Sequence, residues 1–255
     1  MRSSPGILLL AALLPCAAMA APERSYAVMS MVADQVEVVE HRPTVGSSLS
    51  DRTRRWIPFD ERVFDRGALV AVEAGIHHAQ PAANVVLLAG RDAGALEAQK
   101  QALGTPALAQ SVADALRPRL PKVGATHLVL LLKARDTAPL PSTDAKVDAG
   151  ELEGLGFYAD ATLVTKKHDQ SDYLNGNVAR GYFAPFAYFE VALVDLATGK
   201  VVAERPVRAA HPYEAQDVGA TNPAEALSPE QKLRALQGLF DDQAEAAATA
   251  LAAAR

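Results

Sequence analysis

The sequence predicts an α/β fold, a mixed layered sheet with helices packed on it, a late β-hairpin and a long carboxy-terminal helix. Three observations predict this fold. Short continuous apolar runs, typical of buried strands, alternate with stretches in which apolar residues recur every three or four positions, as on the buried face of a helix. Near the end of the chain, a turn sequence joins two apolar runs, and a capping motif then begins a long helical stretch.

Strands and helices alternate from the start. Residues 26–42 are rich in β-branched residues and predict either one long strand or two short strands around a turn. Residues 44–58 have no clear period and predict a loop. From Asp60 the apolar spacing changes to that of an amphipathic helix. The run at 84–90 then predicts a short buried strand.

The middle of the chain continues this alternation. A helical stretch at 93–103 stops at Gly104, and Thr105 and Pro106 predict the start of the next helix, with a hydroxyl cap and a proline at the first helical position. Residues 126–134 then predict another buried strand.

The last third contains the two strongest local signals. Residues 189–205 predict a hairpin with a type I turn over Ala197 and Thr198, and with Gly199 at positive φ. Both faces of this hairpin are largely apolar, so we expect cover on both. Residues 228–231 form a capping box with proline at the first helical position, which predicts the long carboxy-terminal helix.

The first 20 residues have the layout of a secretory signal peptide. Arg2 precedes an apolar core at 7–14, and small residues at Ala18 and Ala20 precede the expected cleavage site. The apolar run is shorter than the roughly 20 residues that a membrane-spanning helix needs. We therefore expect a cleaved, exported protein located in the periplasm.

Cys16 offers an alternative, because bacterial lipoproteins are cleaved and acylated at a cysteine that follows an apolar run. Pro15 stands where such sites have a small, flexible residue, which favours cleavage after Ala20 over a lipid anchor at Cys16. Cleavage after Ala20 leaves no cysteine in the mature chain. That composition excludes disulfides, thiolate metal ligands and a cysteine nucleophile.

Residues 21–255 predict a single α/β domain with a loop-rich insertion around 135–186, since no linker divides them. Without residues 1–20, 24 basic and 30 acidic side chains remain. This mild acidity, with both signs interspersed, is typical of a soluble surface and makes nucleic acid an unlikely partner.

The segments GATHLVLLLKARD (residues 124–136) and VALVDLATGKVVAE (residues 191–204) resemble parts of the curli-secretion lipoprotein family and of the TolB amino-terminal domain. The resemblance covers residues 107–205 and implies an envelope-associated α/β domain. The chain lacks the lipobox of the curli protein and has no propeller repeat after residue 205, so secretion-channel activity is not implied. Fold in any case does not determine function.

Motifs of the common enzyme classes are missing from the mature sequence. The three glycines within residues 150–160 match no phosphate-binding loop and predict a turn. Neighbouring side chains on a helix diverge by about 100°, so His77 and His78 are not expected to chelate a metal. We therefore expect no cofactor, and a non-catalytic protein that binds or assembles with another envelope component. A hydrolase without a known motif and a small-molecule or metal carrier remain alternatives.

Eight of the fourteen aromatic residues lie within residues 157–189. One interpretation is that they fill the core. The other is that polar, turn-rich surroundings expose some of them, and that the loop at 166–186 forms a partner-binding edge. The residues that this second hypothesis assigns to the edge are Tyr173, Tyr182, Phe183 and Phe186.

Overall fold

The structure is a computed structural model that describes residues 24–42, 51–58, 63–89, 92–118, 120, 124–138, 140, 150–160, 181–214 and 222–254. The predicted signal peptide, including Cys16, lies outside the described residues, as does Tyr173. The described elements are β1 (Ser25–Met31), β2 (Gln35–Arg42), β3 (Asp51–Pro58), α1 (Val63–Ala79), β4 (Asn84–Leu88), α2 (Ala93–Ala102), α3 (Leu108–Leu116), β5 (His127–Lys133), β6 (Arg135–Thr137), β7 (Glu151–Asp160), β8 (Tyr182–Asp195), β9 (Lys200–Ala210), β10 (Tyr213–Glu214) and α4 (Pro229–Ala253).

The strands form one mixed sheet in the order β3-β2-β7-β8-β5-β1-β4, with β9 and β10 also paired to β8 and β6 paired to β7. β1 runs parallel to β4 and β5, and β2 runs parallel to β7. β8 is antiparallel to each of its neighbours. The predicted mixed sheet with helices packed on it is confirmed.

The sheet divides along β8. The first half of β8 pairs with β7 (Tyr188 opposite Gly154), and the second half pairs with β5 (Phe189 opposite Lys133). Because β9 pairs with residues from both halves, β7 and β5 must lie end to end on the opposite edge of β8. Two branches therefore leave one edge of a single strand, β7-β2-β3 on one side and β5-β1-β4 on the other.

Helices cover both faces of the sheet. α1 and α4 pack on one face around Phe189 and Phe240, whose ring centroids lie 5.0 Å apart. α2 and α3 cover the other face of the β5-β1 branch. Gly75 lets α1 approach α4 closely, because a Cβ there would lie 2.4 Å from the carbonyl oxygen of Glu245. None of the helices within the described ranges combines the length and apolar character needed to cross a membrane.

The strongest local signals of the sequence are confirmed. Gly199 has φ of +71°, and the Asp195 carboxylate accepts hydrogen bonds from both the backbone N–H and the hydroxyl of Thr198. Ser228 and Gln231 form the predicted reciprocal capping box of α4. The hairpin is covered on both faces only along β8, because β9 is largely exposed.

The prediction of a turn at residues 150–160 is wrong, since residues 151–160 form β7, an interior strand of the sheet. Its glycines allow neighbouring strands and their side chains to approach the β7 backbone closely. A Cβ on Gly156 would lie 2.2 Å from the carbonyl oxygen of Glu37 and 2.3 Å from the Phe186 ring. Within the predicted loop-rich insertion at 135–186, the described residues include β6, β7 and the start of β8.

The prediction of a loop at residues 44–58 is wrong for its second part, which forms the edge strand β3. Two of its three arginines pair with carboxylates of the neighbouring strand β2, which the local sequence does not reveal. Arg54 Nε lies 2.9 Å from Glu37 Oε1, and Arg55 Nη2 lies 2.9 Å from Glu40 Oε1. Charged side chains are a common protection of an exposed sheet edge.

Two further boundaries differ from the prediction. The strand predicted to be buried at 84–90 is β4, a partly exposed edge strand. The helix predicted to begin at Pro106 begins at Leu108, because the Thr105 hydroxyl donates to the carbonyl of Ala102 and closes a turn that connects α2 to α3.

The close approach at Gly156 yields a test of the sheet packing. We expect Gly156→Ala to lower the free energy of unfolding by about 2 kcal/mol or more, because the methyl group must displace backbone as well as a buried ring. The matched control is Gly238→Ala in α4, where a Cβ meets nothing within 4 Å and should stabilise the helix by up to ~1 kcal/mol. Urea denaturation measures both changes. A Gly156→Ala variant as stable as the native protein would contradict the packing described here.

Candidate functional site

A cleft of about 490 Å³ opens where the two branches of the sheet separate. It lies beyond the carboxyl ends of the parallel strands β1 and β5, the position at which open α/β sheets commonly bind ligands. Its volume is within the range of small-molecule sites. Its wall includes Asp34, Trp56, Leu96, Glu97, Gln99, Lys100, Leu103, Lys133, Arg135 and Glu153.

Gln99 of α2 completes the backbone hydrogen bonding where β1 and β5 end. Its side-chain amide donates to the carbonyl of Met31 at 3.1 Å and accepts from the backbone N–H of Lys133 at 3.0 Å. Gln99 is 4% exposed, so these backbone groups would otherwise be buried without partners. The amide thereby allows the strands to diverge without a loss of hydrogen bonds.

Lys133, the last residue of β5, brings a buried positive charge to the cleft. Its ammonium lies 2.5 Å from a carboxylate oxygen of Asp34, in the connection between β1 and β2, and 5.9 Å from the ring centroid of Trp56. The stem of Lys133 crosses Gly154, where φ is +64° and a Cβ would lie 3.0 Å from the lysine Cγ. Gly154 thus provides both the turn of the backbone and the space for the lysine.

A second ion pair stands beside the first. Nε and Nη2 of Arg135 donate to the same oxygen of Glu153 at 2.9 and 2.6 Å. This hydrogen bonding to Glu153 raises the pKa of Arg135. A guanidinium held in this way is fixed in orientation before any ligand arrives.

Behind the cleft, Glu37 is fully buried and joins the neighbouring strands β2 and β7. Its carboxylate accepts from the backbone N–H of Glu153 at 2.8 Å and faces Arg54. Burial raises the pKa of Glu37, while the Glu153 N–H and the Arg54 charge oppose that rise. Glu37 therefore anchors the strand that carries Glu153 and does not face the cleft itself.

A smaller cavity of about 150 Å³ adjoins the cleft and shares Arg135 with it. Glu190, half-buried on β8, lines this cavity together with Thr105 and Arg208. Burial raises the pKa of Glu190 to about 7, with a smaller contribution from the negative charge of Glu204. The charge of Glu190 therefore changes near neutral pH.

The cleft combines charged and apolar side chains. Among the described residues, its lining supplies fixed charges, an indole ring and leucine side chains. No group of three or more His, Cys, Asp or Glu residues suited to a metal ion occurs within the described ranges.

The aromatic residues assigned to a partner-binding edge are not on the surface where the structure describes them. Tyr182 and Phe183 are 3% exposed and Phe186 is fully buried. Phe183 stacks on Phe157 with ring centroids 5.4 Å apart. The alternative interpretation, that these rings fill the core, therefore accounts for all three. Successive side chains of β8 point to opposite faces of the sheet, and both faces are covered.

The histidines singled out in the sequence lie away from the cleft. His78 pairs with Glu245 of α4 at 3.0 Å, which ties the end of α1 to that helix. His127 lies at the start of β5, with Nδ1 2.8 Å from the hydroxyl of Thr126. Burial, followed by the charge of Arg24, lowers the pKa of His127. Ser47, Ser48 and Ser50 lie outside the described residues.

Sequence reasoning missed Asp34, Trp56 and Lys133. Two signals were present: Lys133 ends an otherwise apolar strand, and Trp56 is the single tryptophan of the chain. Neither signal shows that the two side chains meet, because they belong to different branches of the sheet.

No protein-family model and no curated protein matches this chain. Among solved structures, the chain is similar to protein XCC0632 from Xanthomonas campestris, which is described as belonging to the family model DUF330. The two share 9% sequence identity with a TM-score of 0.34, over 90% of this chain and 81% of the other. The resemblance to the curli-secretion lipoprotein family and to TolB stays a prediction.

The pKa of Glu190 predicts how stability changes with pH. The folded-state value of about 7 is above the ordinary value of 4.5, so the folded protein holds a proton that the unfolded chain releases. The contribution of Glu190 to the free energy of unfolding is therefore lost as the pH rises from about 4.5 through about 7, and none of it remains well above pH 7. We expect Glu190→Gln to stabilise the protein by ~1 kcal/mol at pH 8 and by much less at pH 5. The gain at pH 8 is modest because solvent screens the half-buried carboxylate.

Thermal denaturation of both proteins at the two pH values measures this difference. Glu204→Gln is the control: it removes the weaker of the two causes and should give a smaller gain at pH 8. An equal gain from Glu190→Gln at pH 5 and pH 8 would contradict the elevated pKa.

Proposed function

We propose that this protein is an exported, non-catalytic binding protein of the bacterial cell envelope, and that the cleft between the branches of the sheet is its binding site. The observation that carries the proposal is the wall of the cleft, where Lys133, Asp34 and Trp56 meet from three separate elements. A buried charge lining a small-molecule-sized opening is a common feature of binding sites.

The amino-terminal sequence supports the location. Residues 1–20 have the charge, apolar core and small residues of a cleaved signal peptide. Because Tyr182, Phe183 and Phe186 of β8 are buried, they are not part of the proposed binding surface. A second envelope component would instead meet the protein at the rim of the cleft, where Glu97 and Lys100 of α2 are exposed.

The intact mass of the protein recovered from the periplasm of a Gram-negative host tests the export. We expect a chain that begins at Ala21 and carries no lipid. Ala20→Phe is the control, because a bulky residue at the cleavage site should leave the signal peptide attached. A lipid-bearing species that begins at Cys16 would contradict this part of the proposal and support the anchored alternative.

Site-specific photo-crosslinking in living cells tests the binding site. A photoreactive amino acid at Glu97, on the exposed rim, should give an adduct with an envelope component. The same group at Val202, a 55% exposed residue of β9 that does not line the cleft, is the matched control and should give none. Adducts of equal yield at both positions, or at neither, would contradict the assignment of the cleft.

A cleft-filling variant sharpens this comparison. Ala93, the exposed first residue of α2, lines the opening. We expect Ala93→Trp to remove the adduct at Glu97 while the melting temperature stays within a few degrees of the native value. An adduct that persists in this variant would place the contact outside the cleft.

A further inference from the structure

The ammonium group of Lys133 is the strongest indication of what the cleft binds. Lys133 is only 5% exposed, yet it lines the opening. An ammonium has three N–H donors, and Asp34 is the one hydrogen-bond acceptor that the described residues present to it. Buried donors of a charged group are normally satisfied, because leaving them unpaired is unfavourable. The remaining donors are therefore suited to oxygen atoms of a ligand.

Arg135 adds a second cation to the same wall. Its Nε and Nη2 bind Glu153, while Nη1 has no acceptor among the described residues. The Arg135 side chain is 42% exposed, so a ligand in the cleft can reach it. A planar guanidinium of fixed orientation is well suited to carboxylate and phosphate oxygens.

The remainder of the cleft wall offers apolar contact. Trp56 presents its ring beside Lys133, and Leu96 and Leu103 of the α2 segment line the same opening. An indole ring and two leucine side chains bury apolar surface but do not satisfy a second charge. The cleft thus places cations at one part of its wall and apolar side chains at another.

We propose that the cleft binds a small amphipathic anion, with its carboxylate or phosphate group on Lys133 and Arg135 and its apolar chain against Trp56, Leu96 and Leu103. This inference rests on the proposed function, because it names the ligand class of the same cleft.

Asp34 has a defined part in this arrangement. The Asp34 side chain is 37% exposed, and its carboxylate pairs with the Lys133 ammonium when no ligand is bound. An incoming anion meets repulsion from this carboxylate and competes with it for the ammonium. Removing the charge of Asp34 should therefore strengthen binding of the anion, whereas removing the charge of Lys133 should weaken it. Opposite signs from two touching residues are not expected of a merely structural ion pair.

The single tryptophan makes the site directly observable, because all indole fluorescence comes from Trp56 in the cleft wall. Four probes with the same ten-carbon chain separate the contributions of charge and tail: decanoate, decyl phosphate, decan-1-ol and decylammonium. We expect saturable fluorescence changes with at least one of the two anions, at an affinity ~10-fold or more above that of decan-1-ol, since hydrogen bonds to charged groups contribute this much. The two anions distinguish a carboxylate ligand from a phosphate ligand.

Three variants complete the experiment. Lys133→Met keeps the length of the side chain and should reduce anion affinity ~10-fold, to the level of the alcohol. Asp34→Asn should raise anion affinity several-fold. Asp242→Asn makes the same charge change at an exposed position of α4 that does not line the cleft, and should alter affinity less than ~2-fold, as expected for a solvent-screened charge.

Several results would overturn the inference. They are tighter binding of decylammonium than of either anion, equal binding of the alcohol and the anions, absence of saturation, and an unchanged affinity after Asp34→Asn. Because the probe series uses the native protein, it decides the question even where Lys133→Met fails to fold. An adduct at Glu97 together with failure of the anions would refute the ligand class alone, whereas absence of both would refute the proposed function as well.

Discussion

The fold depends on the pairing of β8, whose 14 residues hydrogen-bond to two different strands along one edge. β7 takes the first half of that edge and β5 the second, while β9 spans the opposite edge. β8 is buried along almost its whole length because both of its faces are covered. Because β8 is long, apolar and paired along both edges, it can hold two branches of the sheet that extend from it separately.

This division creates both a structural problem and the cleft. Where two branches separate, backbone donors and acceptors lose their neighbours, and buried groups of this kind must be paired again. Gln99 supplies the missing partners at the ends of β1 and β5, and Glu37 receives a backbone N–H at the start of β7. Of these two side chains, Gln99 lines the cleft and Glu37 lies behind it.

The sequence predicted those elements whose signals are local. The capping box at residues 228–231, the positive φ of Gly199 and the apolar run of β5 each depend on residues close together in the chain, and each is confirmed. β7 could not be predicted in this way. Its glycines are typical of a turn, and the actual partners of Gly156, which are Glu37 and Phe186, lie 30 or more residues away on either side. The cleft was missed for the same reason.

The placement of Lys133 connects the fold to its proposed use. A lysine at the end of a buried strand is ordinarily solvated, and burying its charge is unfavourable unless the surroundings compensate. Gly154 has no side chain to block the stem of Lys133. Asp34 supplies a counter-charge to the ammonium, and the Trp56 ring lies beside it. Hydrophobic residues of similar volume would stabilise such a position as well as an ion pair does. A buried ammonium with one of its three N–H donors paired among the described residues, at the wall of an opening of about 490 Å³, is therefore the feature that the proposed recognition of a ligand explains better than stability of the fold does.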